Sequence, residues 1–182
     1  MSKLGPHCLR STDSAKRLLD AGARVIKLVD DFGLVSTPHP GVLAIGRVYS
    51  PFSAESQRGS DPEQAAAYFI DSQLQKYQLN PGVDVWEGHN EPVWSNAQDM
   101  IWYAEFESAR VRLMASKGYR CVIGNFSTGN PDLPLWTSFL SAIRTAIQYN
   151  GMLGLHEYTS PWMWWMTGKY QLDPGADAGN VG

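Results

Sequence analysis

The sequence predicts an α/β protein built on a parallel β-sheet, because two kinds of segment alternate along the chain. Short apolar segments rich in β-branched residues alternate along the chain with longer segments of helical periodicity. Alternation of this kind is typical of strands joined by right-handed crossover helices. With 182 residues, of which 43% are hydrophobic, the chain is long enough to bury a core. We therefore expect residues 1–182 to form a single domain.

The alternation divides the chain into six strands and four helices. The predicted strands are residues 4–8, 24–29, 42–49, 83–89, 120–125 and 152–158. The predicted helices are residues 11–20, 61–77, 97–117 and 133–149. Polar residues beginning at Ser11 cap the first helix and Gly22 ends it. Asp61 and Pro62 supply an N-cap and a first-turn proline to the second helix, and Gly118 closes the third.

Polar residues at the ends of the strands favour one of two ways of arranging such a sheet, an open doubly wound sheet or a closed barrel. No Gly-rich phosphate loop follows any strand, which argues against an open nucleotide-binding sheet. In a barrel, the chemistry gathers at the carboxyl ends of the strands. The polar residues at those ends are His7, Lys27, Asp30, Arg47, Asn90, Glu91, Asn125, His156 and Tyr158. The predicted fold is therefore a parallel (β/α) barrel of the TIM type.

The number of strands predicts an incomplete barrel. A complete barrel of this type takes about 250 residues. Only six strand signals are present, and the sixth lacks its helix. We therefore expect a barrel truncated after the sixth strand. Residues 173–182 show no periodicity and are expected to be a flexible tail or a truncated loop.

Composition narrows the classes of function. The formal net charge is −3 and no basic run exists, so no nucleic-acid partner is expected. No apolar stretch approaches the roughly 20 residues of a membrane span. The four His and two Cys do not fall at ligand spacing, so we expect no metal and no cofactor; Cys8 and Cys121 are interpreted as buried thiols. The N-terminus lacks the apolar core of a signal peptide, which leaves the compartment open, cytoplasmic or secreted.

The fourth predicted strand carries the strongest chemical signal. It runs directly into the adjacent residues Asn90 and Glu91, and Pro92 fixes the turn that follows. A carboxyl at a strand end is held by a rigid scaffold and is still open to a cleft. The alternative is a carboxylate that only stabilises the start of the next helix. We favour the functional interpretation of Glu91.

The run Trp86-Glu-Gly-His-Asn-Glu-Pro92 resembles the fourth-strand signature of clan A glycoside hydrolases. The resemblance implies that Glu91 is the catalytic acid/base and that Asn90 hydrogen-bonds the sugar 2-hydroxyl. It also implies that Glu87 is a carboxylate buried inside the barrel. His89 stands where many members carry an aromatic residue, and we assign it a supporting role with Glu87.

Other strand ends extend the candidate site. The sixth strand resembles its counterpart in the family, where His156 helps to orient the carboxylates and Tyr158 lies near the subsite; a hydrogen-bonded core histidine is an equally good interpretation of His156. Arg47 either pairs with Glu87 or is solvated. Asn125 is expected to hydrogen-bond substrate. Trp162 and Trp164 either help to build the sugar-binding wall or cap the barrel.

The nucleophile that the resemblance requires is a Glu on a seventh strand, and it is not identified in this sequence. Beyond Tyr158 the carboxyls other than the terminus are Asp173 and Asp177, which follow no strand signal. The resemblance implies a retaining glycoside hydrolase that acts on a carbohydrate in its complete form. The isolated chain is expected to be a poor glycosidase or none. The alternative is a non-catalytic carbohydrate-binding or assembly protein, with self-association through open barrel edges.

Overall fold

The computed structural model describes residues 5–36 and 40–156. The described chain is an α/β fold in which six parallel strands form a half-barrel. The strands follow one another in the order of the sequence, from β1 at one edge to β6 at the other. Four of the predictions above fall on residues that lie outside the described part of the chain: Tyr158, Trp162, Trp164 and the segment 173–182.

The observed elements agree with the predicted alternation. The strands are β1 His7–Cys8, β2 Val25–Val29, β3 Leu43–Arg47, β4 Val85–Glu87, β5 Cys121–Ser127 and β6 Met152–His156. The helices are α1 Asp13–Asp20, α2 Pro62–Leu79, α3 Ala97–Ser116 and α4 Trp136–Gln148. Among the described residues between β2 and β3, Gly33–Val35 form a short 3-10 turn. The first residues predicted for α4 likewise form a 3-10 turn, Leu133–Leu135.

Side chains at the helix starts explain where three helices begin. The Thr12 side chain accepts a hydrogen bond from the backbone N–H of Ala15. The Asp61 side chain accepts one from Gln64, immediately before Pro62. The Asn96 side chain accepts one from Asp99. Each of these bonds pairs a backbone donor that has no partner inside the helix.

The core lies between the sheet and the helices. Trp86 on β4 points to the helix side, where its ring centroid lies 4.5 Å from that of Tyr77 on α2 and 5.1 Å from that of Phe32. Gly46 on β3 makes room for Trp86, because a Cβ there would stand 2.7 Å from a ring carbon. Farther along, Tyr103 of α3 stacks on Phe139 of α4. Because side chains alternate along a strand, Val85 and Glu87, which flank Trp86 on β4, face the opposite, inner side of the sheet.

Helix α3 buries more of its circumference than the sequence suggested. It packs against α2, α4 and β5, so Met100, Trp102 and Tyr103 are all buried. Helical periodicity in the sequence predicts Ile101 on the same buried side as Phe106 and Met114. That prediction is wrong for Ile101, which is 44% exposed. Cys121 is buried as expected, whereas Cys8 is only partly buried on the edge strand β1. Within the described residues, no helix is both long and apolar enough to cross a membrane.

Candidate functional site at the carboxyl ends of the strands

Glu91 lies just beyond β4, in a backbone conformation that non-glycine residues seldom adopt. Its φ is +49°, in the left-handed region. The Glu91 N–H donates a hydrogen bond of 3.0 Å to the carbonyl of Asn125 on β5. The loop that follows is held by Asn130, whose side chain exchanges two hydrogen bonds with the backbone of Trp94, at 3.0 and 3.1 Å. Strained backbone that is fixed by its surroundings in this way is common at functional sites.

Four side chains from three strands and the β4 loop form a continuous chain across the inner face, which we call the polar relay: Glu87, Lys27, His156 and Glu91. The Lys27 ammonium lies 2.8 Å from Glu87 Oε1 and 3.0 Å from His156 Nε2. The other ring nitrogen, Nδ1 of His156, lies 2.9 Å from Glu91 Oε1. The relay ends at the cleft surface, since the Glu91 side chain keeps 33% of its exposure while that of Glu87 keeps 5%.

The predicted pairing of Glu87 with Arg47 is wrong. Glu87 is buried, as expected, but its ion pair is with Lys27 on β2. Lys27 is in register with Ile45, one inward-facing position before Arg47 on the neighbouring strand. The ammonium at the tip of its long side chain therefore reaches the level of Glu87. Arg47 stands at the very end of β3 and its guanidinium extends past Glu87 to the side chain of Asn90.

Arg47 orients the Asn90 amide. The guanidinium donates to Oδ1 of Asn90. An arginine has donors and no acceptor, so this contact assigns the oxygen of the amide to Arg47 and turns its NH₂ group away. Asn90 is exposed. Its amide donors are therefore presented to whatever enters the cleft.

These residues line an open cavity of about 540 Å³ at the carboxyl ends of the strands. The lining consists of His7, Lys27, Arg47, Asn90, Glu91, Leu155 and His156. Loss of solvent around the ring, followed by the charges of Lys27 and Arg47, lowers the pKa of His7. The structure thus brings together four residues proposed from sequence (Asn90, Glu91, His156 and Arg47). His7 and Lys27, which the sequence marked as polar residues at strand ends without assigning them a role, also line the cavity.

Asn125 does not reach the cleft surface, so its predicted contact with substrate is not what this structure shows. It is fully buried, and the register between β5 and β6 is shifted at this residue. A Cβ on Gly154 would stand 2.3 Å from Asn125 Oδ1, so the amide packs over that glycine. The part of Asn125 that serves the site is its backbone carbonyl, which holds Glu91.

His89 also lies away from the cleft, on the helix side of the sheet. Its ring centroid lies 4.6 Å from that of Phe69 on α2 and 5.4 Å from that of Phe106 on α3. It therefore fills an aromatic position in the core and supports β4 from behind. Burial, with a smaller effect of the Arg110 charge, lowers the pKa of His89 from 6.5 to about 4.

This pKa predicts a loss of stability in mild acid. Between pH 6.5 and about 4 the unfolded chain binds a proton at His89 that the native protein does not bind. Above pH 6.5 the buried neutral His89 costs the native protein nothing. As the pH falls from 6.5 to about 4, the free energy of unfolding decreases by roughly 3 kcal/mol in all. Chemical denaturation of the protein and of His89→Phe across this range should show a shallower decline for the variant. Parallel declines would contradict the burial of a neutral His89.

Within the described residues, no group of three or more His, Cys, Asp or Glu side chains is arranged to hold a metal ion. The groups that line the site are one accessible carboxyl, a histidine hydrogen-bonded to it, an oriented amide and two cationic side chains. No protein-family model, no curated protein and no solved structure matches the chain.

Proposed function

We propose that the strand-end cleft is the acid/base half of a retaining glycoside hydrolase site, on a (β/α) barrel of the TIM type. The observation that carries the proposal is the placement of Glu91. It stands at the carboxyl end of a central parallel strand, open to a cleft and hydrogen-bonded to His156. In TIM barrels, catalytic residues come from this end of the strands.

The chemistry assigns a role to each neighbour of Glu91. Cleavage of a glycoside needs a carboxylic acid that protonates the leaving oxygen. Glu91 supplies that proton. The NH₂ group of Asn90, turned towards the cleft by Arg47, donates to a sugar hydroxyl next to the bond that breaks. His156 holds the carboxyl of Glu91 in place through Nδ1.

Retaining hydrolysis also needs a second carboxylate, about 5–5.5 Å from the first. Among the described residues that line the cleft, Glu91 is the only one with a carboxyl group. Glu87 is buried and ion-paired with Lys27, so it is not available as a nucleophile. The proposal therefore places the nucleophile outside the described residues, on this chain or on a partner.

The presence of a single carboxyl among the described residues that line the cleft also favours a second candidate, a non-catalytic carbohydrate-binding protein. A cleft with one accessible carboxyl, an oriented amide and cationic side chains can bind sugar hydroxyls without cleaving a bond. The two candidates predict different results when a nucleophile is supplied from solution, because only a site with a working acid can use it.

We therefore expect turnover that depends on an external nucleophile. The assay uses a panel of aryl β-glycosides with poor leaving groups, with and without concentrated sodium formate. Formate should raise the rate of the parent chain on at least one substrate, and Glu91→Gln should lower that rate by about 10²–10⁴-fold, the usual contribution of a general acid. Glu105→Gln, an exposed glutamate on α3, is the matched control and should behave as the parent.

The other outcomes discriminate between the candidates. Oligosaccharide binding by calorimetry without formate-dependent turnover would support the binding protein and overturn the hydrolase. Turnover that is unchanged in Glu91→Gln would remove Glu91 from the acid/base role. A chain that neither binds nor cleaves any member of the panel would contradict both candidates.

A further inference from the structure

The polar relay contains a lysine that touches a histidine ring, and this contact restricts where the hydrogen atoms lie. Lys27 Nζ lies 3.0 Å from His156 Nε2 and 2.8 Å from Glu87 Oε1. An ammonium group has three donors and no acceptor. The buried carboxylate of Glu87 keeps the lysine charged, because an ionised group with little access to solvent stays ionised when an opposite charge lies beside it.

It follows that Nε2 of His156 must accept a hydrogen bond. A ring nitrogen that accepts carries no hydrogen, so the neutral ring has its hydrogen on Nδ1. That Nδ1–H points at Glu91 Oε1, 2.9 Å away. Within the relay, Lys27 donates to His156 and His156 donates to Glu91.

We propose that Lys27 is a positioning residue that holds His156 as the Nδ1–H tautomer and thereby leaves Oε2 of Glu91 as the oxygen that carries the catalytic proton. The assignment of the tautomer is independent of what the site does; its consequence for catalysis rests on the proposed function. Oε1 is occupied as an acceptor by His156, so a protonated Glu91 carries its hydrogen on Oε2. His156 has no lone pair left to take that proton, because the one on Nε2 is bound by Lys27.

The arrangement separates His156 from the proton transfer. A histidine hydrogen-bonded to a carboxyl can act as an acceptor and remove the proton before the substrate does. The contact with Lys27 blocks that route and makes His156 a donor only. The side chain that lines the cleft is then a carboxyl with one oxygen fixed and the other presented to the leaving oxygen.

The tautomer can be measured directly, through long-range ¹⁵N–¹H correlation spectra of the histidine side chains. The chain has four histidines, so His156→Asn identifies the signals of His156. Spectra are taken at about pH 8.5, roughly two units above the usual imidazole pKa, where histidine side chains are neutral. The test uses Glu91→Ala as its background, because Glu91 would by itself favour a hydrogen on Nδ1.

In Glu91→Ala the proposal predicts that His156 remains the Nδ1–H tautomer, since Lys27 is still present. Adding Lys27→Met together with Glu87→Gln should convert it to the Nε2–H tautomer that an unconstrained histidine side chain favours. Removing both charges avoids leaving Glu87 as an unpaired buried carboxylate. Arg47→Met in the same background is the matched control and should leave the tautomer unchanged.

An Nε2–H ring in Glu91→Ala itself, or an Nδ1–H ring that persists after Lys27 is replaced, would overturn the proposal. Backbone amide spectra of each variant show whether the fold is retained. None of these spectra requires turnover. The positioning role of Lys27 can therefore fail while Glu91 proves to be the acid, and it can hold while the hydrolase proposal fails.

Discussion

Replacing Arg110 by Met should lower the free energy of unfolding by about 3–5 kcal/mol, the usual result of breaking a buried ion pair from one side. Arg110 and Glu107 are both fully buried on α3, with the Arg110 Nε 2.7 Å from Glu107 Oε2. The variant would leave Glu107 charged in the core. Among the described residues, the hydroxyl of Tyr103, 2.9 Å from the other carboxylate oxygen, is the remaining hydrogen-bond partner of Glu107 and cannot neutralise it.

Arg110 also joins α3 to two strands. Its Nη2 donates to the carbonyl of Val122 on β5 at 2.6 Å, and its Nη1 lies 3.5 Å from the carbonyl of Trp86 on β4. Glu91 follows β4 along the chain, and its N–H is hydrogen-bonded to Asn125 on β5. Loss of the guanidinium should therefore loosen the site as well as the core.

The measurement is urea denaturation of the parent, of Arg110→Met and of Arg112→Met. Arg112 lies on the exposed side of the same helix, and its replacement should change stability by no more than about 0.5 kcal/mol. The double variant Arg110→Met/Glu107→Met removes both charges and should recover much of the loss. Equal effects of Arg110→Met and Arg112→Met would show that the buried pair does not form.

Replacing Lys27 by Met should also cost about 3–5 kcal/mol, for the same physical reason. Glu87 Oε1 is bound by Lys27, and Glu87 Oε2 is buried without a hydrogen-bond partner. Nothing else within the described residues forms an ion pair with this carboxylate. Lys27→Met would therefore leave an uncompensated charge on the inner face of the sheet.

The control for Lys27 is its neighbour on the next strand. Arg47 bonds to the uncharged side chain of Asn90, so Arg47→Met should cost much less than Lys27→Met. Glu87→Gln should restore stability to Lys27→Met. Thermal and urea denaturation rank the three variants. A larger loss for Arg47→Met than for Lys27→Met would assign the ion pair of Glu87 to Arg47 after all.

The order of strands and helices was predictable because it depends on local sequence patterns. Capping residues such as Thr12 and Asp61 mark helix starts through bonds made within three residues along the chain. The position of Glu91 at a strand end was predictable for a similar reason: an apolar strand runs directly into it. Ile101 was misplaced, because periodicity predicts a single buried stripe and α3 is covered on several sides.

The pairing of side chains within the site was not predictable. It depends on side-chain length and on the register between strands that are far apart in sequence. Lys27 and His156 are 129 residues apart, and their contact needs β2 and β6 to curve towards one another across the inner face. Because β3 and β4 are adjacent, the sequence favoured Arg47 as the ion-pair partner of Glu87. In the structure the partner is Lys27, because the strand register and the length of the lysine side chain bring its ammonium to Glu87.

By itself, the sequence determined that this chain is an α/β protein with parallel strands and that a carboxyl stands where the fourth strand ends. These are properties of segments, decided by periodicity, caps and turns. Only the tertiary structure decided which groups meet. It buried Asn125, placed His89 against the helices and linked Glu87 to Glu91 through Lys27 and His156. The physical reason is that a buried charge selects its partner by distance in three dimensions, and distance along the chain carries almost no information about it.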